Sequence, residues 1–498
     1  NNKKYLTLII NPFILMNSEQ TKSNNSALYT LITVFFFWGF VAASNDILIP
    51  VFKKAFTLTQ AQSQLVSLAF YIAYTVGSII YLLISKGIGT DLLNKMGYKN
   101  GIAVGLTISA LGTLLFYPAA NTGSFNLMLS GLFIVALGFS LQQIAANPLA
   151  VVMGDPKTGS QRLSLAGGVN NFGTTIGPLL VSFAIFGSVT SSNTEASIES
   201  VKIPYLTLGL AFVLVAIFFK ISSIPNKIDL DHVAVEEAGG NESKVLHKKY
   251  AFQYPQLWMG MIGIFVYVGV EVATASNLPE YLHAKMGVST DKVAPYISLY
   301  WASLMIGRWT GSVGAFDISK SAKDILKFLM PYIAFGVFLL VNSIANHDVS
   351  SFYVYAFVIV AMIVGDILSK GSPAKMLLIF SLMGITALII GMLTTGMVSV
   401  FAFVSVGLFC STLWPCIFTL AVAGLGKHTN EGSSFLIMMI MGGGFISYLQ
   451  GYVASDHLLG IQYSYIVGVA CFAYLAFYAV RVTGILKNQG VNYEKKAT

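Results

Sequence analysis

The chain has 498 residues, of which 55% are hydrophobic and only 10% charged, and its mean hydropathy is +0.72. A soluble chain carries about 25% charged residues, so this composition excludes a soluble globular protein and implies an all-α polytopic membrane protein. The net charge of +8 does not point to nucleic acid, because in a membrane protein the placement of Lys and Arg in short loops matters more than their sum.

The opening "NNKKYLTLIINPFILM" has no initiator Met, and its short apolar run is broken by Pro12. Polar "NSEQTKSNNS" follows it, without a small-residue cleavage site. Met16 is therefore the expected natural start, with residues 1–26 an extension outside the fold. Apolar runs long enough to span a bilayer, about 20 residues each, fall at 27–51, 63–85, 99–118, 125–153, 162–187 and 203–224. These six form an N-terminal bundle, 27–225. Residues 226–255, charged and containing Gly239-Gly240, read as a hydrophilic linker. Eight further runs follow at 256–283, 293–316, 325–346, 351–368, 373–394, 397–424, 432–454 and 461–486, giving a C-terminal bundle over 256–487, a tail at 488–498 and about 14 spans in all.

Loop charges support this count. With the N-terminus inside, the inside loops carry Lys86, Lys95, Lys99, Lys157, Arg162, Lys220, Lys227, Lys244, Lys248, Lys249, Lys320, Lys323, Lys327, Lys370, Lys375 and Lys427, and the tail from Arg481; the outside loops carry Lys53, Lys54, Lys202, Lys285 and Lys292. Omitting one span would scramble the asymmetry. A weak internal repeat links "GDPKTGSQRLSLAGGVNNFG" after the fourth span to "GLGKHTNEGSSFLIMMIMGGG" late in the second half. The two match in position if the pair near 325–368 is an insertion, which would leave the orientation of everything downstream unchanged. Parallel repeats of this kind are found in two-half transporters.

Polar letters inside spans are the candidate functional residues. In "WGFVAASNDILIP", Asn45 and Asp46 interrupt the first span. A carboxylate at a bilayer centre costs about 2.5–3.5 kcal/mol on insertion scales, and such groups mark bundle interiors and wet pathways. Gln142, Gln143 and Asn147 lie in the fourth span, Asn170 and Asn171 in the fifth, and Glu271 and Asn277 in the seventh. The amides could equally bond neighbouring backbone across helices. Amides and carboxylates suit a polyhydroxylated ligand, and Trp38, Tyr267, Trp301 and Trp414 could pack on its C–H faces or belong to the core. Arg308, with Asp91 and Lys99 in the loop after the second span, fits either an inside gate of ion pairs or snorkelling to the interface. The pairs Gly101/Gly105 and Gly307/Gly311 read as close helix packing. Cys410, Cys416 and Cys471 lie in apolar runs without metal or redox spacing. No phosphate loop, Cys/His ligand spacing or nucleophile–base pair occurs, so the chain does not read as an enzyme.

From Ala27 to Leu486 the sequence resembles the fucose–galactose–hexose branch of the major facilitator superfamily. The match is carried by "FFFWGFVAASNDILIPVFKKAFTLTQAQ", "QQIAANP" and "GRWTGS", in order with "GYKNGI", "LFYPAAN", "YVGVEV", "WPCIFTL" and "GSSFLIMMIMGGG". The resemblance implies the major facilitator fold: two six-helix bundles, here with the inserted pair, alternating access around a central sugar site, and uphill uptake driven by a co-transported cation. Asp46 and Asn45 match the first-helix positions that the family uses in binding and coupling. Gln143 stands where fucose-specific relatives carry a glutamate, and Gly167 where they carry a glutamine. Glu271 stands where they carry an amide. The resemblance thus implies cation coupling at Asp46, Asn45, Gln143 and Glu271. Glu271 would then replace the missing carboxylate, or the ion would be sodium held by Asp46, Asn45, Gln143 and Asn170.

The expectation is a hexose importer of the glucose/galactose class, symporting sodium or a proton and using no cofactor. It would be a monomer in a bacterial inner membrane with both termini cytoplasmic. An L-fucose or amino-sugar symporter of the same family is the alternative. A drug/proton antiporter is disfavoured because Val181-Ser182 follows "GTTIGPLL" where Gly-Gly belongs, and a sugar sensor because the tail is short.

Overall fold

The computed structural model describes residues 25–55, 60–186, 202–230, 233, 248–288, 293–455 and 457–491, with side chains for all but 25, 42–55, 60–67, 156, 178–179 and 181–186. Among the described residues there is no strand. Fourteen long helical segments follow in order. The first six are α1 Asn25–Ala55, α2 Gln60–Gly87, α3 Tyr98–Leu114, α4 Phe125–Val152, α5 Gly159–Phe186 and α6 Lys202–Ile221. Next come α7 Pro255–Met286, α8 Ala294–Ser312, α9 Lys320–Ile344, α10 Tyr355–Ser369 and α11 Pro373–Leu393. The last three are α12 Gly396–Val422, α13 Gly426–Val453 and α14 Ile466–Asn488. They coincide with the fourteen apolar runs of the sequence. Eleven of the described helices meet the length and hydropathy expected of a crossing helix; the remaining long helices are α1, α5 and α8.

Local chemistry sets several boundaries. Ser124 and Ser319 cap α4 and α9 by accepting the amides of Leu127 and Ala322, and Ser372 accepts the Lys375 amide with Pro373 at the first position of α11. Pro148, Pro279 and Pro331 lie inside helices, which neighbouring helices tolerate in a membrane. α12 breaks at Ser411–Thr412, and α13 tightens to a 3-10 turn at Met439–Met441.

Helices α1–α6 pack with one another, most closely α1 on α5 and α3 on α4 and α6; α7–α14 form a second group through α7 on α13 and α14 and α11 on α14. At the α1–α5 crossing a Cβ on Gly39 would sit 1.9 Å from the Asn170 carbonyl oxygen, and one on Gly173 would sit 2.5 Å from that of Phe36. Only glycine permits that approach. Gly105 and Gly307 pack in the same way, against Gln142 and Ser411.

The groups meet along a seam made by α5 with α8 and by α2 and α4 with α13. The helices α9 and α10 lie outside this frame, against α8 and α11. The two repeated segments fold alike: each begins with a 3-10 turn, Pro156–Thr158 or Gly426–His428, that runs directly into a helix of the seam.

Candidate functional site

Arg308 is the centre of the polar arrangement. It is 9% exposed despite its charge. Its Nε donates to the Ser411 carbonyl at 2.9 Å, where α12 is broken and the carbonyl is free of helical pairing. Its Nη1 donates to Asn171 Oδ1 at 2.6 Å and to the Gly167 carbonyl at 3.4 Å, both across the seam on α5. Its Nη2 donates to the Tyr267 hydroxyl at 3.2 Å and lies 3.8 Å from Glu271 Oε2. Tyr267 in turn donates to that Glu271 oxygen, and the Tyr300 hydroxyl donates to the Glu271 backbone carbonyl at 2.8 Å. One guanidinium thus spends its donor fork on both halves of the molecule. Snorkelling is ruled out for Arg308 by this burial and by these five partners.

Space for the arginine comes from Gly167. A Cβ there would stand 3.1 Å from Arg308 Cδ and 3.2 Å from Nη1. Next to it, Trp309 Nε1 donates to the Gly168 carbonyl at 3.1 Å. Trp414, half-buried, lies with its ring centroid 6.2 Å from that of Tyr267.

In the N-terminal group, Trp38 Nε1 donates to Gln142 Oε1 at 2.9 Å, and Gln142 Nε2 donates to Ser109 Oγ at 3.1 Å. Both Trp38 and Gln142 are buried, at 4% and 0% exposed. These two candidate sugar contacts are therefore tied into a chain inside the α1–α4–α3 packing. Gln143 is half-buried and donates to the Tyr74 hydroxyl at 3.1 Å. Asn170 donates to the Phe35 carbonyl at 3.0 Å. Asn147 is buried with no partner for Nδ2 among the described residues. Asn277 bonds back to the Ala273 carbonyl of its own helix, and Trp301 packs edge-on to Tyr300. Asn45 and Asp46 fall within α1, but their side chains lie outside the described residues.

The seam closes at the lysine-rich face. Asn430, at the start of α13, donates to Asp91 Oδ1 and Asn94 Oδ1, each at 3.1 Å, and accepts from the Tyr98 hydroxyl at 2.7 Å. Asp91 also caps Leu93 and accepts from Tyr81 at 2.8 Å. Lys99 turns to the Ser222 carbonyl at 2.8 Å, within its own half. This clasp is amide-based and Lys99 takes no part in it, where the sequence left an ion-pair gate and interfacial snorkelling both open. Deeper in the seam, Ser433 and Ser434 donate to the carbonyls of Ile144 and Ser78.

Sequence reasoning overlooked Tyr74, Tyr300, Ser411 and Asn430. A lone tyrosine or serine in an apolar run carries no pattern, and Asn430 was visible only as part of the repeated segment.

The sequence profile of the Major Facilitator Superfamily matches residues 27–362. The chain is 33% identical over 472 residues to the "Glucose/galactose transporter" of Brucella abortus biovar 1 (strain 9-941), with 94% of this chain and 97% of the relative covered. It is 27% identical to the "L-fucose-proton symporter" of Escherichia coli (strain K12), with 93% and 94% covered. Among solved structures, it superposes with a TM-score of 0.66 and 26% identity on a Major Facilitator Superfamily transporter, FucP, in the outward conformation, over 91% of this chain and 98% of that one.

Proposed function

The chain belongs to the Major Facilitator Superfamily, and on that premise we propose that it imports a hexose of the glucose/galactose class together with a sodium ion or proton, by alternating access between α1–α6 and α7–α14. The printed names of its relatives support the sugar class. Its multi-pass character suits the inner membrane of a bacterium, as a monomer. The excess of lysine on the clasped face supports placing that face and both termini in the cytoplasm.

The observation that carries the coupling is the buried Glu271–Arg308 pair, whose arginine also holds the opposite half through Asn171. A cation arriving at Glu271 weakens the hold of the carboxylate on the guanidinium. The freed fork and the half-exposed amides of Gln143 and Asn170 then meet sugar hydroxyls. A ligand that binds one arrangement better than the other shifts the population by its differential affinity. Asp46, on the α1 side, serves as the first cation contact in this reading, with Asn45 beside it.

The test is uptake into proteoliposomes under an imposed sodium gradient or an imposed pH gradient, with glucose, galactose, N-acetylglucosamine and fucose. Asp46→Asn and Glu271→Gln should each abolish accumulation against a gradient and leave sugar exchange measurable. If Glu271→Gln accumulates sugar with an unchanged ion requirement, the pair is structural and the coupling assignment fails.

A further inference from the structure

We propose that His428 is a proton-operated staple that binds the end of the inter-half linker to the gate helix α13 and sets how readily the lysine-rich face opens. The imidazole stands between two acceptors. Its Nδ1 is 3.0 Å from the Glu431 carboxylate Oε2, and its Nε2 is 3.0 Å from the Lys248 carbonyl oxygen. Neither partner can donate as a carboxylate or a carbonyl. A neutral imidazole has one N–H and satisfies only one of them; the imidazolium satisfies both. The side chain is 13% exposed and Glu431 is 37% exposed, so water reaches the pair.

Both ends of the staple matter for the gate. His428 closes the 3-10 turn that runs into α13, and two residues later Asn430 clasps Asp91, Asn94 and Tyr98 of the other half. On the linker side, Lys248–Tyr254 folds into its own small unit: Lys248 N donates to the Tyr254 hydroxyl at 3.1 Å, and the Lys249 amide donates to Gln253 Oε1 at 3.0 Å. Phe252 packs on Phe435 of α13 with centroids 4.4 Å apart.

Among the described residues, the charged and titratable groups around the imidazole are Glu431 and Lys427 on its own segment, and Lys248, Lys249 and Tyr254 on the linker; Asp91 of the opposite half is reached through Asn430. Histidine is the side-chain type suited to a proton-controlled contact near neutral pH, and only its protonated ring donates from both nitrogens. Acidity on the lysine-rich face therefore completes the staple and holds α13 at the clasp. Alkalinity leaves a nitrogen lone pair facing an oxygen lone pair, and the linker contact opens. The device needs no assumption about the sugar or the coupled ion.

The test uses Ser434→Cys as a gate reporter, because Ser434 is wholly buried in the closed seam and Cys410, Cys416 and Cys471 are buried as well. Alkylation from the lysine-rich side is timed at pH 5.5 and pH 8, each rate divided by that of the exposed Lys95→Cys protein at the same pH. With His428 the corrected rate should be about tenfold slower in acid, the scale of one charge-assisted hydrogen bond. His428→Gln should respond little to pH, and His428→Arg should show the slow rate at both pH values. A full pH response surviving in folded His428→Gln, or a fast rate in His428→Arg, overturns the proposal.

Discussion

Asn171 and Arg308 are joined by a 2.6 Å hydrogen bond although they belong to opposite halves of the molecule, and Gly167, one turn before Asn171, leaves the space through which the arginine passes. The bond places a cation that serves Glu271 of its own half under the influence of an amide from the other. Any movement that parts α5 from α8 must break it.

Gly167→Ala tests this geometry directly. The new methyl would stand 3.1 Å from Arg308 Cδ, and such overpacking costs about 1–3 kcal/mol. The guanidinium should give way toward Glu271, tightening the ion pair that an incoming cation must displace. The expected result is a several-fold higher cation concentration for half-maximal uptake, with the sugar concentration dependence little changed. A cation dependence equal to wild type would show that Arg308 does not compete for Glu271.

Removing the arginine should be more damaging than removing the pair. Arg308→Ala leaves Glu271 buried beside Tyr267 without its counter-charge, and breaking a buried pair from one side costs about 3–5 kcal/mol. The double variant Glu271→Gln with Arg308→Met should melt well above Arg308→Ala in detergent. Equal melting of the two would mean that the charges do not depend on each other.

Trp38 offers a test of a different kind. Its indole N–H is committed to Gln142 within the N-terminal packing, so Trp38→Phe should lower stability by about 1 kcal/mol, the net worth of one hydrogen bond. The sugar concentration for half-maximal uptake should stay near wild type. Gln143→Ala, on the half-exposed face of the same helix α4, should instead raise that concentration about tenfold, with melting little affected. The reverse pattern would return Trp38 to the sugar site.

All fourteen helices were legible as apolar runs, because a span must satisfy its own backbone and exclude charge over a fixed length. The helices α9 and α10 were legible for the same reason, from the length of their apolar runs. The site was less so. Glu271 stood out because a carboxylate in such a run is costly. Its partner Arg308 was visible as a residue, but its direction was not, since either end of a long side chain's reach is compatible with the sequence. Gln142 and Gln143 illustrate the limit most clearly: adjacent identical letters sit about 100° apart around α4, one bonded to Trp38 and Ser109 and one to Tyr74, and α4 is apolar nearly all round, so its pattern does not tell the two faces apart. The clasp at Asn430 joins residues more than 330 positions apart in the chain, and no local pattern announces it.

The helix pair α9–α10 carries a part-buried ion pair of its own. Lys327 Nζ on α9 lies 2.6 Å from Asp366 Oδ2 on α10, with side-chain exposures of 23% and 4%. The helices present large apolar side chains outward, among them Phe328, Leu340, Phe357 and Ile367, and against each other they also make the Tyr332 hydroxyl bond to the Ala356 carbonyl at 3.3 Å and the Phe335–Tyr355 ring contact. Asp366→Asn leaves the ammonium without its charge partner, and Lys327→Met leaves the carboxylate buried and uncompensated. The second should be the worse of the two, because Asp366 is the more buried and Lys327 can reach the interface. The double variant should recover most of the loss, since two neutral groups need no pairing. The check is a double-mutant cycle on thermal melting in detergent, with uptake per folded molecule measured alongside. A coupling energy near zero would show that the pair is incidental to the stability of these two helices, and a loss of uptake in a well-folded double variant would give α9–α10 a part in transport itself.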